Sequence, residues 1–175
     1  MGSLRLVVLA SLLGRLAQSA LLFESTRLEA KDVEAFPAVG FPQENRELPK
    51  TECRAFPGSD NWPTDEDWRS LNASLNGALL KPLPPAAVCY SGPSYDMGKC
   101  NYLVENATNN HFYLDDPLTV LTQWTQGNTC MPVLNATGTC TQGGFPAYVV
   151  DARTVKHVQA AVNFARNRNL RLVIK

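Results

Sequence analysis

The sequence lacks an excess of charge of either sign. Its 175 residues carry 16 lysines and arginines against 16 aspartates and glutamates, and charged residues make up 18% of the chain. An average globular domain has roughly 25%. A neutral chain of ordinary apolar content is neither a polybasic nucleic-acid binder nor an acidic disordered tail. We therefore expect no nucleic-acid partner, and the length fits one domain.

Short motifs for phosphate binding, nucleophilic catalysis and metal binding are also missing. The chain has no P-loop, no Gly-x-Ser-x-Gly and no Gly-x-Gly-x-x-Gly. Its two histidines, His111 and His157, have no cysteine or acid at metal-ligand spacing, so we interpret both as surface residues. The acids 65–67 are typical of a helix start rather than of a catalytic pair. We predict no catalytic residue and no metal site.

No apolar run is long enough to cross a membrane, which takes about 20 residues. Residues 1–20 instead read as a secretory signal peptide, with Arg5 as its basic n-region and Leu6–Leu13 as its apolar core. The small residues Ala17 and Ser19 suit a cleavage site. A buried N-terminal helix is the alternative. We expect a secreted protein with no membrane anchor.

The cysteines favour an oxidising compartment. None forms a Cys-x-x-Cys pair, which argues against zinc ribbons and thioredoxin-type sites and favours disulfides. Their number is odd, so one thiol is left over or pairs outside the chain, and the spacing does not fix the pairing. The disulfide candidates are Cys53, Cys89, Cys100, Cys130 and Cys140.

Three Asn-x-Ser/Thr sequons also fit export. Asn106 and Asn135 lie among threonine, asparagine and glycine, so we expect both on exposed loops and predict them as glycosylation sites. Asn72 lies in a predicted helix, four residues after Trp68, and shares its apolar side. We expect Asn72 to be structural and unglycosylated.

The first half of the chain divides into an extended part and an organised part. Residues 21–50, with three prolines, are predicted to be an extended, surface-hugging lead-in. Organised structure starts near Cys53. Thr64 is expected to cap a helix that ends at Gly77 as its C′ residue. The apolar stripe of this helix is Trp68, Leu71 and Leu75.

The middle of the chain alternates short elements with long loops. Residues 78–82 favour a short strand or an extended piece, and a short helix is predicted around Lys99–Val104. Asp116 and Pro117 are typical of a helix start, with Val120, Leu121 and Trp124 on the buried side. Residues 91–110 and 126–144 are predicted loops stapled by disulfides.

The last thirty residues predict a strand, a helix and a second strand. Tyr148–Val150 and Leu170–Ile174 are the strands, and Thr154 caps the helix between them. The predicted buried stripe of this helix is Val155, Val158, Val162 and Ala165, with Ala161 beside it. A βαβ unit implies adjacent parallel strands, which are normally buried on both faces. Two such strands cannot finish a sheet, so we expect a domain that is incomplete at its C-terminus.

An ordered set of motifs over residues 51–175 points to one family. The motifs are Cys53-Arg54-x-Phe56-Pro57-Gly58, Trp62-Pro63, Pro82-x-Pro84-Pro85, Val88-Cys89-Tyr90, Asp116-Pro117, Pro146-x-Tyr148-Val149-Val150, the helix 158–165 and Asn169–Lys175. Together they resemble the secreted fungal FAD-linked oxidoreductases with a PCMH-type FAD-binding domain. These belong to the vanillyl-alcohol oxidase superfamily and are berberine-bridge-like.

This resemblance implies an α+β fold: an incomplete PCMH-type FAD-binding domain, residues 51–175, with a C-terminal βαβ unit and disulfide-stapled loops. In the family the strand matching Leu170–Ile174 runs into a glycine-rich turn with a histidine that approaches FAD. The chain stops before that turn. The resemblance implies FAD and a small-molecule alcohol, sugar or amine substrate, with dioxygen as acceptor, in the parent protein. We expect the fragment itself to be inactive and to hold FAD weakly, with Lys175 near the flavin phosphates.

A second interpretation belongs to another class. The chain could be a small secreted, disulfide-stapled binding protein with no enzymatic activity. The unfinished βαβ unit and the odd cysteine argue against this alternative.

Overall fold

A computed structural model describes residues 25–41, 53–109, 111–112 and 127–175. The signal peptide at residues 1–20, the helix beginning at Asp116-Pro117, and residues 21–24 and 42–50 of the predicted lead-in lie outside the described residues. The domain boundaries stay predictions.

Short helices and two short strands make up the described part. In chain order they are α1 (Ala30–Ala35), a 3₁₀ turn (Pro37–Val39), α2 (Asp65–Ser74), β1 (Leu79–Leu80), a second 3₁₀ turn (Pro85–Cys89), α3 (Met97–Glu105), β2 (Val149–Val150) and α4 (Val155–Asn167). The predicted short helix around Lys99–Val104 is confirmed by α3, and β1 forms within the predicted strand or extended piece at residues 78–82.

Helix α2 begins where its sequence predicts. The Thr64 hydroxyl accepts a hydrogen bond from the Asp67 amide at 3.2 Å, and the Asp67 carboxylate accepts one from the Thr64 amide at 2.9 Å. This reciprocal capping box satisfies two amides that a helix start leaves without intrahelical partners. The predicted cap is therefore confirmed.

The end of α2 differs from the prediction by one position. Asn76, and not Gly77, is the C′ residue, with φ at 52°, and Gly77 follows it with φ at 86°. The Gly77 amide donates to the Asn72 carbonyl at 2.9 Å, and the Asn76 amide donates to the Ala73 carbonyl at 3.1 Å. These two bonds form a Schellman motif. An asparagine tolerates the left-handed conformation, so the helix can end one residue before the glycine.

The hydrophobic core lies between α2 and α4. The predicted stripe of α2 is confirmed as buried, and its Trp68 ring stacks on Tyr148 with ring centroids 3.9 Å apart. Trp68 also contacts Phe164 of α4, with ring centroids 5.2 Å apart. Each large apolar side chain buried in this way contributes about 1.5–3 kcal/mol to stability. The buried members of this core are Val39, Trp68, Leu71, Leu75, Ala160 and Phe164.

Helix α4 begins at its predicted cap, but it buries a different face. The Thr154 hydroxyl accepts from the His157 amide, which confirms the cap. Val158 and Val162, predicted to be buried, are 39% and 37% exposed. The buried residues are Ala160, Asn163, Phe164 and Ala165, of which only Ala165 was on the predicted stripe.

The reason is that α4 binds an N-terminal segment through polar side chains. This N-terminal strap (residues 25–41) contains α1 and the first 3₁₀ turn, and it is not the extended lead-in that the prolines suggested. Its Val39 side chain is only 1% exposed. The strap thus belongs to the core and corrects the predicted surface-hugging lead-in over these residues.

Besides apolar packing, α4 makes hydrogen bonds to the strap backbone. Asn163 donates to the Val39 carbonyl at 2.9 Å, and Asn167 donates to the Ala38 and Gly40 carbonyls at 2.9 Å each. Buried carbonyls need such partners, since an unpaired one costs about 1–3 kcal/mol. A third α4 residue, Gln159, accepts from the strap amide of Leu28.

The short strands pair differently from the predicted βαβ unit. β1 and β2 are antiparallel, with Leu79 opposite Val150 and Leu80 opposite Val149. Leu170 forms a single parallel bridge with Ala55. Pairing of β2 with Leu170–Ile174 is not found among the described residues, so the βαβ unit stays a prediction. Residues 171–175, beyond the bridge, belong to no helix or strand.

Two disulfides staple the predicted loops. Cys89 is bonded to Cys100, and Cys130 is bonded to Cys140. The remaining cysteine, Cys53, is a free, exposed thiol. The structure therefore supplies the pairing that the spacing left open.

The bond between Asn163 and the strap gives a stability prediction. Asn163→Ala leaves the Val39 carbonyl buried without its partner, so we expect the free energy of unfolding to fall by about 1–3 kcal/mol. The measurement is urea unfolding followed by circular dichroism. Asn101→Ala, on the exposed side of α3, is the matched control and should change stability by less than about 0.5 kcal/mol. Equal effects of the two variants would contradict the assigned role.

The disulfide pairing gives a second prediction. Thiol titration of the folded, unreduced chain should find one reactive thiol, because Cys53 is exposed and the other four cysteines are bonded. Cys53→Ser should reduce the titrated thiol to none, whereas Cys89→Ser should release Cys100, which is buried, as a second thiol that reacts once the unreduced chain is unfolded in denaturant. A wild-type chain with three or five thiols would show that the pairing is wrong.

Candidate functional site

Lys175, the predicted cofactor-binding residue, lies at the end of residues 171–175, which belong to no helix or strand. Its side chain is exposed, as are the three apolar side chains before it, Leu172, Val173 and Ile174. This segment starts at the Leu170 bridge and carries its apolar residues into solvent. The described residues contain no further strand against it.

Asn169 fixes the direction in which this segment leaves α4. Its backbone is left-handed, with φ at 52°, and its carbonyl accepts from the Ala55 amide at 3.0 Å. Its side chain accepts from the Arg54 guanidinium at 2.7 Å and donates to the Cys53 carbonyl at 2.9 Å. Residues 53–55 are therefore held beside the start of the C-terminal segment. This places the exposed Cys53 thiol and Lys175 on the two chain segments that meet there.

Ion pairs hold α4 at both ends. Near its start, Lys156 contacts Asp32 of the strap at 2.7 Å, and both side chains are mostly buried. The Lys156 ammonium, followed by the hydrogen bond from the Glu29 amide, holds the pKa of the Asp32 carboxyl below its usual range. Asp32 is thus ionised at neutral pH, and the pair persists there.

At the other end of α4, Arg168 forms an ion pair with Asp67 of α2. Partial burial raises the pKa of the Asp67 carboxyl, but the Thr64 hydrogen bonds and Arg168 outweigh it, and the net pKa lies below the usual range. Arg153 also forms an ion pair, with Asp151, at 2.6 Å. Several cations of residues 151–175 therefore already have anionic partners within the chain.

The start of α4 does not offer a cradle for a flavin pyrophosphate. Free amides at a helix N-terminus bind phosphate. Here the Lys156 amide donates to the Thr26 carbonyl at 2.9 Å, and the His157 amide donates to the Thr154 hydroxyl at 3.2 Å. Because the chain itself fills these positions, the described residues do not fit FAD at this helix start.

A groove of about 470 Å³ lies over the second 3₁₀ turn and the start of α3. At its edge Asp96 caps α3 by accepting from the Lys99 amide, and its carboxylate contacts the Lys99 ammonium at 3.3 Å. The Lys99 amide and ammonium hold the pKa of Asp96 below its usual range, so this group is not a proton donor at neutral pH. The lining residues are Leu83, Pro84, Pro85, Ala87, Val88, Pro93, Ser94, Tyr95, Asp96 and Lys99. We assign the groove no chemistry.

The two histidines take local structural positions. His157 lies in the first turn of α4, where its Nδ1 accepts from the Arg153 amide at 3.3 Å. His111 is exposed, and its amide donates to the Asn109 side chain. Over residues 25–41, 53–109, 111–112 and 127–175, no cluster of metal-ligating side chains is found. Within the same residues, no helix combines the length and the apolar character that membrane crossing requires.

The three sequons differ in structure. Asn72 accepts from the Leu79 amide at 3.1 Å, which confirms the predicted structural role. Asn106 is the C-cap of α3 and donates to the Tyr102 carbonyl at 2.8 Å. Asn135 lies in an exposed turn with φ at 55°.

Sequence reasoning missed the polar face of α4. Lys156, Gln159, Asn163 and Asn167 lie three or four residues apart, and all four bond to the strap. Their spacing is visible in the sequence as a polar stripe of helical period. A polar stripe of this kind does not by itself predict burial, because long polar side chains on a helix usually face solvent.

Comparison with known proteins places this fold. No family model matches the chain. The VAO-type flavoprotein oxidase VAO615 of Thermothelomyces thermophilus is 37% identical over 143 residues, which are 79% of this chain and 24% of the relative. The FAD-linked oxidoreductase hmp9 of Hypomyces subiculosus is 34% identical over 139 residues, 77% of this chain and 22% of the relative. The chain thus spans about a quarter of the length of these relatives.

Solved structures agree with the sequence comparison. The crystal structure of the VAO-type flavoprotein MtVAO615 from Myceliophthora thermophila C1 matches with a TM-score of 0.62 at 37% identity, over 70% of this chain and 23% of that one. MtVAO713 from the same fungus matches with a TM-score of 0.62 at 33% identity, over 69% and 22%. The resemblance drawn from the sequence motifs is therefore confirmed at the level of the superfamily. The chain belongs to the fungal VAO-type, FAD-linked oxidoreductases.

Proposed function

We propose that this chain is the N-terminal portion of a secreted FAD-dependent oxidoreductase and forms part of its PCMH-type FAD-binding domain. The parent substrate is a small alcohol, sugar or amine, and dioxygen is the final acceptor. The carrying observation is that sequence and fold both match VAO-type flavoproteins over about 70–79% of the chain.

The role of this portion is to build scaffold rather than to do chemistry. Bound FAD would supply the hydride-accepting chemistry, and the protein would position it. The described residues supply the α2–α4 core and the ion pairs that fix α4. They offer no acid–base pair and, at the start of α4, no pyrophosphate cradle, so the proposed activity belongs to a longer protein, as in relatives more than three times this length.

Exposed apolar side chains support this reading. Val158 and Val162 face outward from α4, and Leu172–Ile174 are exposed on the C-terminal segment. Large exposed apolar patches are uncommon on monomeric soluble proteins and usually mark contact surfaces. We infer that in the whole protein these residues are covered, and that Leu170–Ile174 then completes the predicted βαβ unit in a larger sheet.

Export to the outside of the cell is part of the proposal. Two disulfides in a chain of this size favour an oxidising compartment, since cytosolic thiols are kept reduced. The signal-like residues 1–20 and the sequons point the same way. We propose no nucleic-acid partner and no membrane anchor.

A chimera tests the proposed function. This chain replaces the matching segment of the Thermothelomyces relative VAO615, and the flavin content of the purified protein is read from its absorption spectrum. We expect the chimera to retain flavin and the isolated 175-residue chain to lack it. In the chimera, Phe164→Ala should lower flavin content, because truncating a buried phenylalanine costs about 3–5 kcal/mol. Phe56→Ala, at an exposed phenylalanine, should leave flavin content unchanged.

The outcomes separate the two classes of function. A chimera that unfolds in one cooperative transition yet contains no flavin would contradict the proposal. That result would favour the small secreted, disulfide-stapled binding protein. A yellow isolated chain would instead overturn the statement that this portion holds FAD weakly.

Lys175 gives a separate prediction in the same chimera. If its ammonium lies near the flavin phosphates, Lys175→Gln should weaken FAD binding by about 10- to 150-fold, which corresponds to a lost charge-assisted contact of about 1.5–3 kcal/mol. Arg171→Gln, at an exposed cation four residues earlier, is the control and should change the dissociation constant less than twofold. FAD titration of the deflavinated chimera measures both. Equal affinities for Lys175→Gln and the unmodified chimera would refute the assignment.

A further inference from the structure

We propose that Asn135 carries an N-linked oligosaccharide in the exported protein. The inference rests on the export part of the proposed function and adds a modification site that the oxidoreductase reaction does not require. Three structural facts favour this sequon over the other two: its position on a stapled loop, the state of its side chain, and its apolar neighbours.

Asn135 lies at the tip of a loop whose base is closed by a disulfide. Cys130 and Cys140 are bonded, and Asn135 lies midway between them. Both Asn135 and Thr137, the hydroxyl residue of its sequon, are exposed. The disulfide holds the base of the loop, so a bulky group at its tip projects into solvent without disturbing the core.

The side chain of Asn135 is available for modification. It takes part in no hydrogen bond or ion pair with the part of the chain that the structure describes. Its left-handed backbone, with φ at 55°, is a turn conformation that asparagine tolerates. A substituent on its Nδ2 atom would therefore break no hydrogen bond or ion pair with the residues that the structure describes.

Asn72 is the opposite case. Its Oδ1 accepts from the Leu79 amide at the start of β1, and the hydroxyl residue of its sequon, Ser74, is 2% exposed and donates to the Leu71 carbonyl. A glycan at Asn72 would have to be placed between α2 and β1. We expect this sequon to remain unmodified in folded protein.

The side chain of Asn106 is hydrogen-bonded, unlike that of Asn135, but its bonds are exposed, whereas that of Asn72 is partly buried. Its Nδ2 donates to the Tyr102 carbonyl at 2.8 Å and its Oδ1 accepts from Asn109 at 3.3 Å, so the side chain folds back onto the last turn of α3. The Asn106 amide donates to the same Tyr102 carbonyl at 3.1 Å, so backbone and side chain both tie Asn106 to this turn. We expect lower occupancy at Asn106 than at Asn135.

The two side chains before Asn135 are apolar and exposed, and a glycan would cover them. Val133 and Leu134 directly precede Asn135 and are 46% and 51% exposed. Contiguous exposed apolar surface on a soluble protein is a contact or aggregation site unless something covers it. An oligosaccharide at Asn135 would shield both from water and from other chains.

The modification is the transfer of an oligosaccharide to the amide nitrogen of Asn135. A bond forms between Nδ2 of Asn135 and the anomeric carbon of the first sugar of a lipid-diphosphate-linked oligosaccharide. The bond from that carbon to the diphosphate oxygen breaks, and the lipid diphosphate leaves with the electron pair. The proton lost by Nδ2 balances the charge on the leaving group.

The test is cell-free translation of the full chain with microsomal membranes. Protease is added afterwards, so that only translocated chains inside the microsomes survive and are analysed. Glycosidase treatment that converts glycosylated asparagine to aspartate identifies each site by mass spectrometry. We expect conversion at Asn135, little at Asn106 and none at Asn72. Asn135→Gln and Thr137→Ala should each remove one glycan step in electrophoretic mobility, and Asn72→Gln should remove none.

A second arm separates this inference from the export proposal. If the chain with its own N-terminus is not translocated, the export proposal fails. In that case residues 21–175 are fused to a signal peptide of the host, and modification of Asn135 is measured on this fusion. A translocated chain with Asn135 unmodified overturns the inference in either arm. Conversion at Asn135 in the host-signal arm supports it regardless of the native N-terminus.

Discussion

The fold of this chain depends on the need of buried backbone carbonyls for hydrogen-bond donors. The strap packs Val39 into the core, so the carbonyls around it are removed from water. The amide side chains of Asn163 and Asn167 supply the missing donors from α4. The neighbouring residue Phe164 meanwhile packs on Trp68. One helix thus joins the strap and α2 by two kinds of contact.

This constraint explains which features could be predicted from sequence. Helix α2 was predictable because its cap, its acidic first turn and its apolar stripe all agree. Helix α4 was predictable in its start, at Thr154, but not in its orientation. Val158 and Val162 suggested a buried face, whereas the buried face is partly polar. Hydrophobic periodicity cannot detect a face that is buried by hydrogen bonds to another segment's backbone.

The candidate site was predictable only in part, for a related reason. The motifs led to the right superfamily, and the cysteines led to two disulfides, but pairing requires distances that spacing does not give. The pairs Asp32–Lys156 and Asp67–Arg168 each join residues about a hundred or more positions apart, so no local pattern reveals them. These ion pairs engage Lys156 and Arg168 within the fold, whereas from the sequence alone both cations could bind a phosphate.

The distance in sequence between the strap and α4 has a consequence for how the protein is made. Leu28 meets Gln159 across 131 residues, and Asn163 meets Val39 across 124. During synthesis the strap emerges first and must wait until α4 leaves the ribosome. Contacts of such high sequence separation form late and slow the folding of the domain. Until then the apolar side of the strap is open to chaperones and to other nascent chains.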